Sequence, residues 1–183
     1  MTDHESLLRL LRERSIQRGD FVLASGRRSS YYIDCRRTTM SGEGMVLIGR
    51  MGWSAITRAG WRPASVGGLT LGADPVAYAI AAASFGSEHP IDAFSVRKQP
   101  KGHGTARLIE GNFQSGDAVV VVEDVITSGE SASRALATLE EAGGNVLGIL
   151  AVVDREEGGR PSLEARGRSV ITLTTVSELG LET

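Results

Sequence analysis

The chain has 183 residues, 41% hydrophobic and 23% charged, with a formal net charge of −2. That length suits one domain with a real core, and the composition is that of an ordinary soluble globular protein. The slight acidity argues against holding a polyanion such as nucleic acid by bulk charge, while leaving room for local basic clusters.

The opening segment, "MTDHESLLRLLRERS", is amphipathic and lacks the basic start and long apolar run of a secretory signal. Leu7, Leu8 and Leu11 recur at helical spacing and predict a helix over about residues 3–17. "FVLASGRRSSYYID" predicts two short strands around a turn at Ser25-Gly26. The one cysteine, Cys35, can form no internal disulfide, which fits a reducing compartment. A second helix is predicted over about 42–60, ending near Gly60, followed by the short strand "ASVGG" and the turn "GGLTLGADP". Asp74 can cap the first amides of the next helix, and Pro75 fits its first turn. That helix, "PVAYAIAAASF", is apolar on most sides and too short to span a bilayer. A soluble cytoplasmic protein is expected.

"IDAFSV" predicts a strand, and "RKQPKGHGTARLIEGN" has neither strand nor helix period and reads as a long mobile loop. "VVVV" predicts a strand, and a helix from about 130 to 142 is stopped by Gly143-Gly144. "VLGILAVVD", "SVITLTT" and a short C-terminal helix complete the chain. Strand and helix alternate, and the strands are continuous Val/Ile runs rather than alternating ones. The fold class expected is therefore α/β, a mainly parallel sheet covered by helices on both faces.

In such a sheet, ligands sit beyond the carboxyl ends of the strands. One of those ends reads "VVVVEDVITSGES": four β-branched residues, two adjacent acids, then a small polar turn entering a helix. Free amides at a helix start hold an anion, and the hydroxyls of Thr127 and Ser128 add donors. The lysine and glycine spacing of a P-loop are missing. Glu123 and Asp124 would repel a phosphate unless they hold something else, such as sugar hydroxyls or a magnesium ion shared with phosphates. The composite suggests a phosphorylated sugar; the plainer alternative is an acidic pair solvated at a strand end.

This thirteen-residue stretch resembles the phosphoribosyl-diphosphate signature of type I phosphoribosyltransferases, and the chain is similar over nearly its whole length to the orotate phosphoribosyltransferases among them. "FVLASGRRSSYYID", "GGLTLGADP", "VRKQPKGHGTARLIEG" and "VVDREEGG" also carry the resemblance. It implies a single phosphoribosyltransferase domain over 1–183, with an N-terminal hood over about 1–40 and a core over about 41–183. It implies transfer of the phosphoribosyl group to orotate, giving orotidine 5′-phosphate and pyrophosphate, with Mg2+ as cofactor held through substrate and no direct protein metal ligands.

The resemblance also implies residue roles. Glu123 and Asp124 would hold the ribose hydroxyls, Thr127, Ser128, Gly129, Glu130 and Ser131 would surround the 5′-phosphate, Glu130 through its amide, and Val125 and Ile126 would also contact phosphoribosyl diphosphate. Thr70, Leu71 and Gly72 lie in the pyrophosphate-loop match, which is otherwise an ordinary strand-to-helix turn. Arg97, Lys98, Lys101 and His103 would meet the pyrophosphate, although an unaided reading makes this a solvated charged loop. The catalytic set implied is Lys101, His103 and Asp124. Orotate would lie against Tyr31 and Tyr32, with Ser25, Gly26 and Thr127 at its edges and Arg155 on its carboxylate. Without the resemblance the tyrosines read as core aromatics and "DREE" as a surface cluster. Leu71 and Ala24 stand where some relatives carry lysines, a departure from the family pattern at the pyrophosphate contacts. A homodimer is implied, with the 97–111 loop closing over the partner's site. The alternatives are a phosphoribosyltransferase for another base, or a non-catalytic regulator that senses phosphoribosyl diphosphate.

Overall fold

The computed structural model describes residues 1–22, 26, 28–99 and 108–181. Helix α1, Asp3–Arg14, opens with a capping box: Thr2 Oγ1 accepts from the Glu5 amide, and the Glu5 carboxylate accepts from the Thr2 amide. It ends short of the predicted residue 17, because Ile16 and Gln17 are drawn into strand β1, Ile16–Val22. Strand β1 pairs antiparallel with β2, Arg28–Ile33, to form a separate two-stranded sheet. The short helix α2, Arg36–Thr39, and the long α3, Gly42–Arg58, follow, with Ser41 Oγ accepting from the Gly44 amide as the α3 cap.

The remaining elements are β3, Ser65–Leu69; α4, Ala73–Ser84; β4, Asp92–Val96; β5, Ile109–Gly111; β6, Ala118–Ile126; α5, Glu130–Glu141; β7, Asn145–Asp154; α6, Gly159–Glu164; and β8, Val170–Thr175. They build a six-stranded sheet in the order β5-β4-β3-β6-β7-β8. Every neighbouring pair is parallel except β4 with β5, which is antiparallel at the edge.

The valine run of β6 lies at the centre because both faces of the sheet are covered. Val120 and Val122 pack in one core with Leu11 of α1, Ile48 of α3 and Val76 and Ile80 of α4. Val119 and Val121 pack in another with Ala135 and Leu139 of α5 and Leu163 of α6. Full burial of each such side chain contributes roughly 1.5–3 kcal/mol relative to exposure. Leu7, Tyr31 and Ile33 share the first core, which fixes the small sheet against the large one. Leu69 pairs with Val96 and Ile126 with Asp154, so the carboxyl ends of β3, β4, β6 and β7 share one rim.

Three local expectations change. Asp74 does not cap α4: Gly72 holds the N-cap position without a side-chain bond, and the Asp74 carboxylate accepts from Ser95 Oγ at 2.7 Å. Residues 109–111 are not loop, since β4 offers them a free edge to pair with. The C-terminal helix is instead a run of turns, with the Leu179 and Leu181 amides both donating to the Val176 carbonyl. The short helices α2 and α6 leave too few residues for a readable period.

Candidate active site

Strand alternation separates the two adjacent acids at the end of β6. Glu123 is only 4% exposed, and its Oε1 has no hydrogen-bond partner. Burial pushes its carboxyl up to about 8, the Asp124 charge adds to this, and Lys98 opposes it. Asp124 is less deeply placed and faces the hood side, where Asp34 and Arg36 act on it. Burial raises its pKa too, but the Val125 amide donates to Oδ1 at 2.9 Å and favours the charged form. Asp124 also touches the segment that resembles a pyrophosphate loop: a Cβ on Gly72 would stand 2.5 Å from its Oδ1. In that segment the Thr70 amide donates to Val96 O at 2.9 Å, the Thr70–Leu71 peptide is cis, and Leu71 is exposed.

Beyond β6 the chain turns through Thr127 and Ser128 to Gly129, whose φ of +78° suits glycine. Gly129 is the N-cap of α5 and supplies no side-chain cap, so the first amides of the helix are open to a ligand. Glu130 and Ser131 are exposed. The turn is braced from behind by Gly159, where a Cβ would lie 2.3 Å from Thr127 O and 2.7 Å from Gly129 N. Gly159 carries no readable signal beyond the adjacent glycines of "EEGG".

Arg155 follows β7 and donates its amide to Ile126 O at 2.9 Å. Its guanidinium pairs with Glu157 at 2.9 Å and lies 5.3 Å over the centroid of the Tyr31 ring. Arg155 is 7% exposed, and its Nε finds no partner. Tyr31 and Tyr32 point to opposite faces of β2. Tyr31, 3% exposed, belongs to the core and lies under the Arg155 guanidinium. Tyr32, 39% exposed, keeps its ring 5.8 Å from Phe21. One cleft of about 910 Å³ is lined by Tyr32, Phe21, Glu123, residues 125–131 and Arg155. Phe21 and Glu157 were not singled out from sequence.

At the end of β4, the Arg97 amide donates to Leu108 O at 2.7 Å, and the Lys98 carbonyl accepts from Arg134 at 3.3 Å. Gly26 is exposed with φ of +79°. Ser25, Lys101 and His103 lie outside the described residues. Among the described residues, no group of three or more His, Cys, Asp or Glu could hold a metal ion, and no helix is long and apolar enough to cross a membrane.

No family model matches the chain. Comparison with curated proteins finds an orotate phosphoribosyltransferase of Aquifex aeolicus, 46% identical over 182 residues and covering 98% of each chain. Another from Mycobacterium avium is 46% identical over 177 residues, covering 97% of this chain and 96% of the relative. Among solved structures, Mycobacterium tuberculosis orotate phosphoribosyltransferase in complex with 5-phospho-alpha-D-ribosyl 1-diphosphate superposes with a TM-score of 0.83 at 41% identity, covering 98% of this chain and all of that one (100%). A phosphoribosyltransferase from Corynebacterium diphtheriae superposes with a TM-score of 0.86 at 36% identity over 99% of this chain and 100% of that one. On this similarity, the chain belongs to the orotate phosphoribosyltransferase family and has its type I phosphoribosyltransferase fold.

Proposed function

We propose that the chain transfers the 5-phosphoribosyl group of 5-phosphoribosyl 1-diphosphate to a ring nitrogen of orotate, releasing orotidine 5′-phosphate and pyrophosphate on the route to UMP. The observation that carries the reading is one cleft with two kinds of wall. One wall offers the acidic end of β6 and the open amides of α5; the other offers Tyr32 and a buried guanidinium with an unpartnered Nε.

The bond from the ribose carbon to pyrophosphate breaks and its electron pair leaves with pyrophosphate; the carbon becomes oxocarbenium-like, the orotate nitrogen forms the new bond, and the proton on that nitrogen is released to solvent. Such a step needs positioning, exclusion of water and positive charge at the leaving group rather than a protein nucleophile. The amides at residues 129–131 and the hydroxyls of Thr127 and Ser128 hold the 5′-phosphate. Val125 and Ile126 form the floor, and Glu123 and Asp124 accept from the ribose hydroxyls. Asp124, resting on Gly72, ties the ribose to the pyrophosphate segment at Thr70 and Leu71. Arg97, Lys98, Lys101 and His103 neutralise the departing pyrophosphate. Arg155 takes the orotate carboxylate, Tyr32 lies on the pyrimidine, and Ser25, Gly26 and Thr127 bond its edges.

Mg2+ would be held through the diphosphate and ribose rather than by direct protein ligands, in keeping with its preference for substrate phosphates and water. When bound, Mg2+ supplies charge neutralisation on the diphosphate, with Asp124 and Glu123 reaching it through the ribose hydroxyls. The 1–183 chain acts as one domain, hood and core together, in keeping with the core shared by Leu7, Tyr31 and Val120. It works as a homodimer in which the loop expected over 97–111, bounded by β5 from Ile109, closes over the partner's site. Exposed apolar side chains at Met45 and Val46 of α3 and Tyr78 and Phe85 at α4 favour such burial. The protein is cytoplasmic and engages neither nucleic acid nor membrane.

An absorbance assay with orotate, uracil and hypoxanthine side by side tests the reading. Turnover of orotate alone is expected. Turnover of a purine means another base specificity, and binding of the diphosphate without turnover means a sensing regulator.

A further inference from the structure

At the rim of the sheet opposite the cleft lies a second cavity of about 630 Å³, where β3, β4 and β6 begin: Ala64, Ile91 and Ala118 line its floor. Both tryptophans of the chain, Trp53 and Trp61, form its wall. Trp61 has a seat made for it. Strand β7 bulges opposite Val119 and Val120, and a Cβ on Gly148 just past the bulge would stand 2.3 Å from Trp61 Cζ2. A bulge with a glycine beside it re-aims a strand and lets a neighbour approach closely.

The polar groups on this cavity favour an anion. Arg62 Nη1 stands 3.3 Å from His89 Nε2. A guanidinium only donates, so Nε2 is the acceptor in this contact. Arg62 keeps further N–H donors beyond this bond, arranged in the fork that suits phosphate or carboxylate. Ser87 Oγ, buried at the same cavity, has no hydrogen-bond partner. Glu88 is the one acid on the wall.

We propose that this cavity is a second ligand site, and that its ligand is a flat aromatic ring carrying a phosphate or carboxylate. Indole faces hold a planar ring by stacking, the Arg62–His89 pair takes the anion, and the volume is that of a small-molecule site. It shares no residue with the catalytic cleft: Ala118 at the start of β6 lines the one and Glu123 further along the same strand lines the other, roughly 16 Å apart.

The tryptophans make the test direct, because neither lines the catalytic cleft. The full-length protein, its cleft first filled with 5-phosphoribosyl 1-diphosphate and Mg2+, is titrated with UMP and separately with benzoate while tryptophan emission is followed. A saturable change is expected, with Kd roughly 0.1–1 mM and at least about tenfold weaker binding in Arg62→Ala. Ribose 5-phosphate, which has no ring to stack, is expected to leave emission unchanged. The thermal midpoint of Arg62→Ala is expected to match that of the parent, since Arg62 is exposed. The proposal is overturned by emission that does not saturate, by equal binding to Arg62→Ala, or by a change that the diphosphate alone produces. A signal that follows protein concentration without ligand also overturns it, because the cavity would then be a surface between copies of the chain.

Discussion

The two carboxylates that end β6 are neighbours in sequence, yet one is buried beside the α5 layer and the other faces the hood. This divergence gives Glu123 a pH signature. Its carboxyl ionises near 4.5 when unfolded and near 8 in the empty fold. Between those values the folded state holds the extra proton, so this group's contribution is complete below about pH 4.5 and is lost as pH rises through 8. At about 1.4 kcal/mol per unit, the loss amounts to roughly 5 kcal/mol. The unliganded parent is therefore expected to lose stability relative to Glu123→Gln between about pH 5 and pH 9 in paired melting curves; identical slopes would contradict this. Ribose hydroxyls donating to Glu123 favour its charged form. Diphosphate binding near pH 7 is accordingly expected to release a proton, read by calorimetry in buffers of different ionisation enthalpy, and Glu123→Gln is expected to release less. The acids were legible in sequence because a like-charged pair before a Thr-Ser-Gly turn is uncommon. Their divergence follows from the period of two, as does the separation of Tyr31 from Tyr32. The support of Arg155 by Tyr31 and Glu157 was not legible, since it depends on how β2 and β7 meet in space.

Turns and loops position these groups, and glycines set how closely they approach. Adding a methyl at Gly72 meets Asp124 Oδ1 at 2.5 Å, and at Gly159 it meets the Thr127 carbonyl at 2.3 Å. Gly72→Ala is expected to raise KM for the diphosphate about tenfold or more, with little change in KM for orotate. Gly159→Ala is expected to do the same and to lower stability by about 1–3 kcal/mol, measured by denaturant unfolding. Equal effects on both substrates would contradict these placements. In the connection between β4 and β5, Lys101→Ala is expected to lower kcat at least about a hundredfold, with a modest change in KM; near-normal turnover would remove Lys101 from the mechanism. Among the elements, the long ones were legible: α3 and α5 carry a helical period between good stop signals, and β6 and β7 are unbroken apolar runs. Those that sequence missed, β5, α2 and α6, are short and owe their form to neighbours.

At the scale of the molecule, buried Val/Ile strands alternating with helices leave few arrangements besides a parallel sheet covered on both faces, which is why the fold class was readable. Assembly is a different matter, since one sequence does not say which exposed apolar side chains a second copy covers. Mixing Lys101→Ala with Asp124→Asn protein is expected to restore turnover that neither variant has alone, because a mixed dimer keeps one site with an intact loop and an intact acid. No recovery would mean that each subunit works with its own loop. The central claim is that one ligand is divided between the acids of β6 and the helix start after them. A crystal structure with 5-phosphoribosyl 1-diphosphate and Mg2+ tests it most directly. The expected result places the 5′-phosphate on the amides of residues 129–131 and the ribose hydroxyls within hydrogen-bond distance of Glu123 and Asp124. A phosphate seated elsewhere, or a ribose out of reach of both acids, would contradict it.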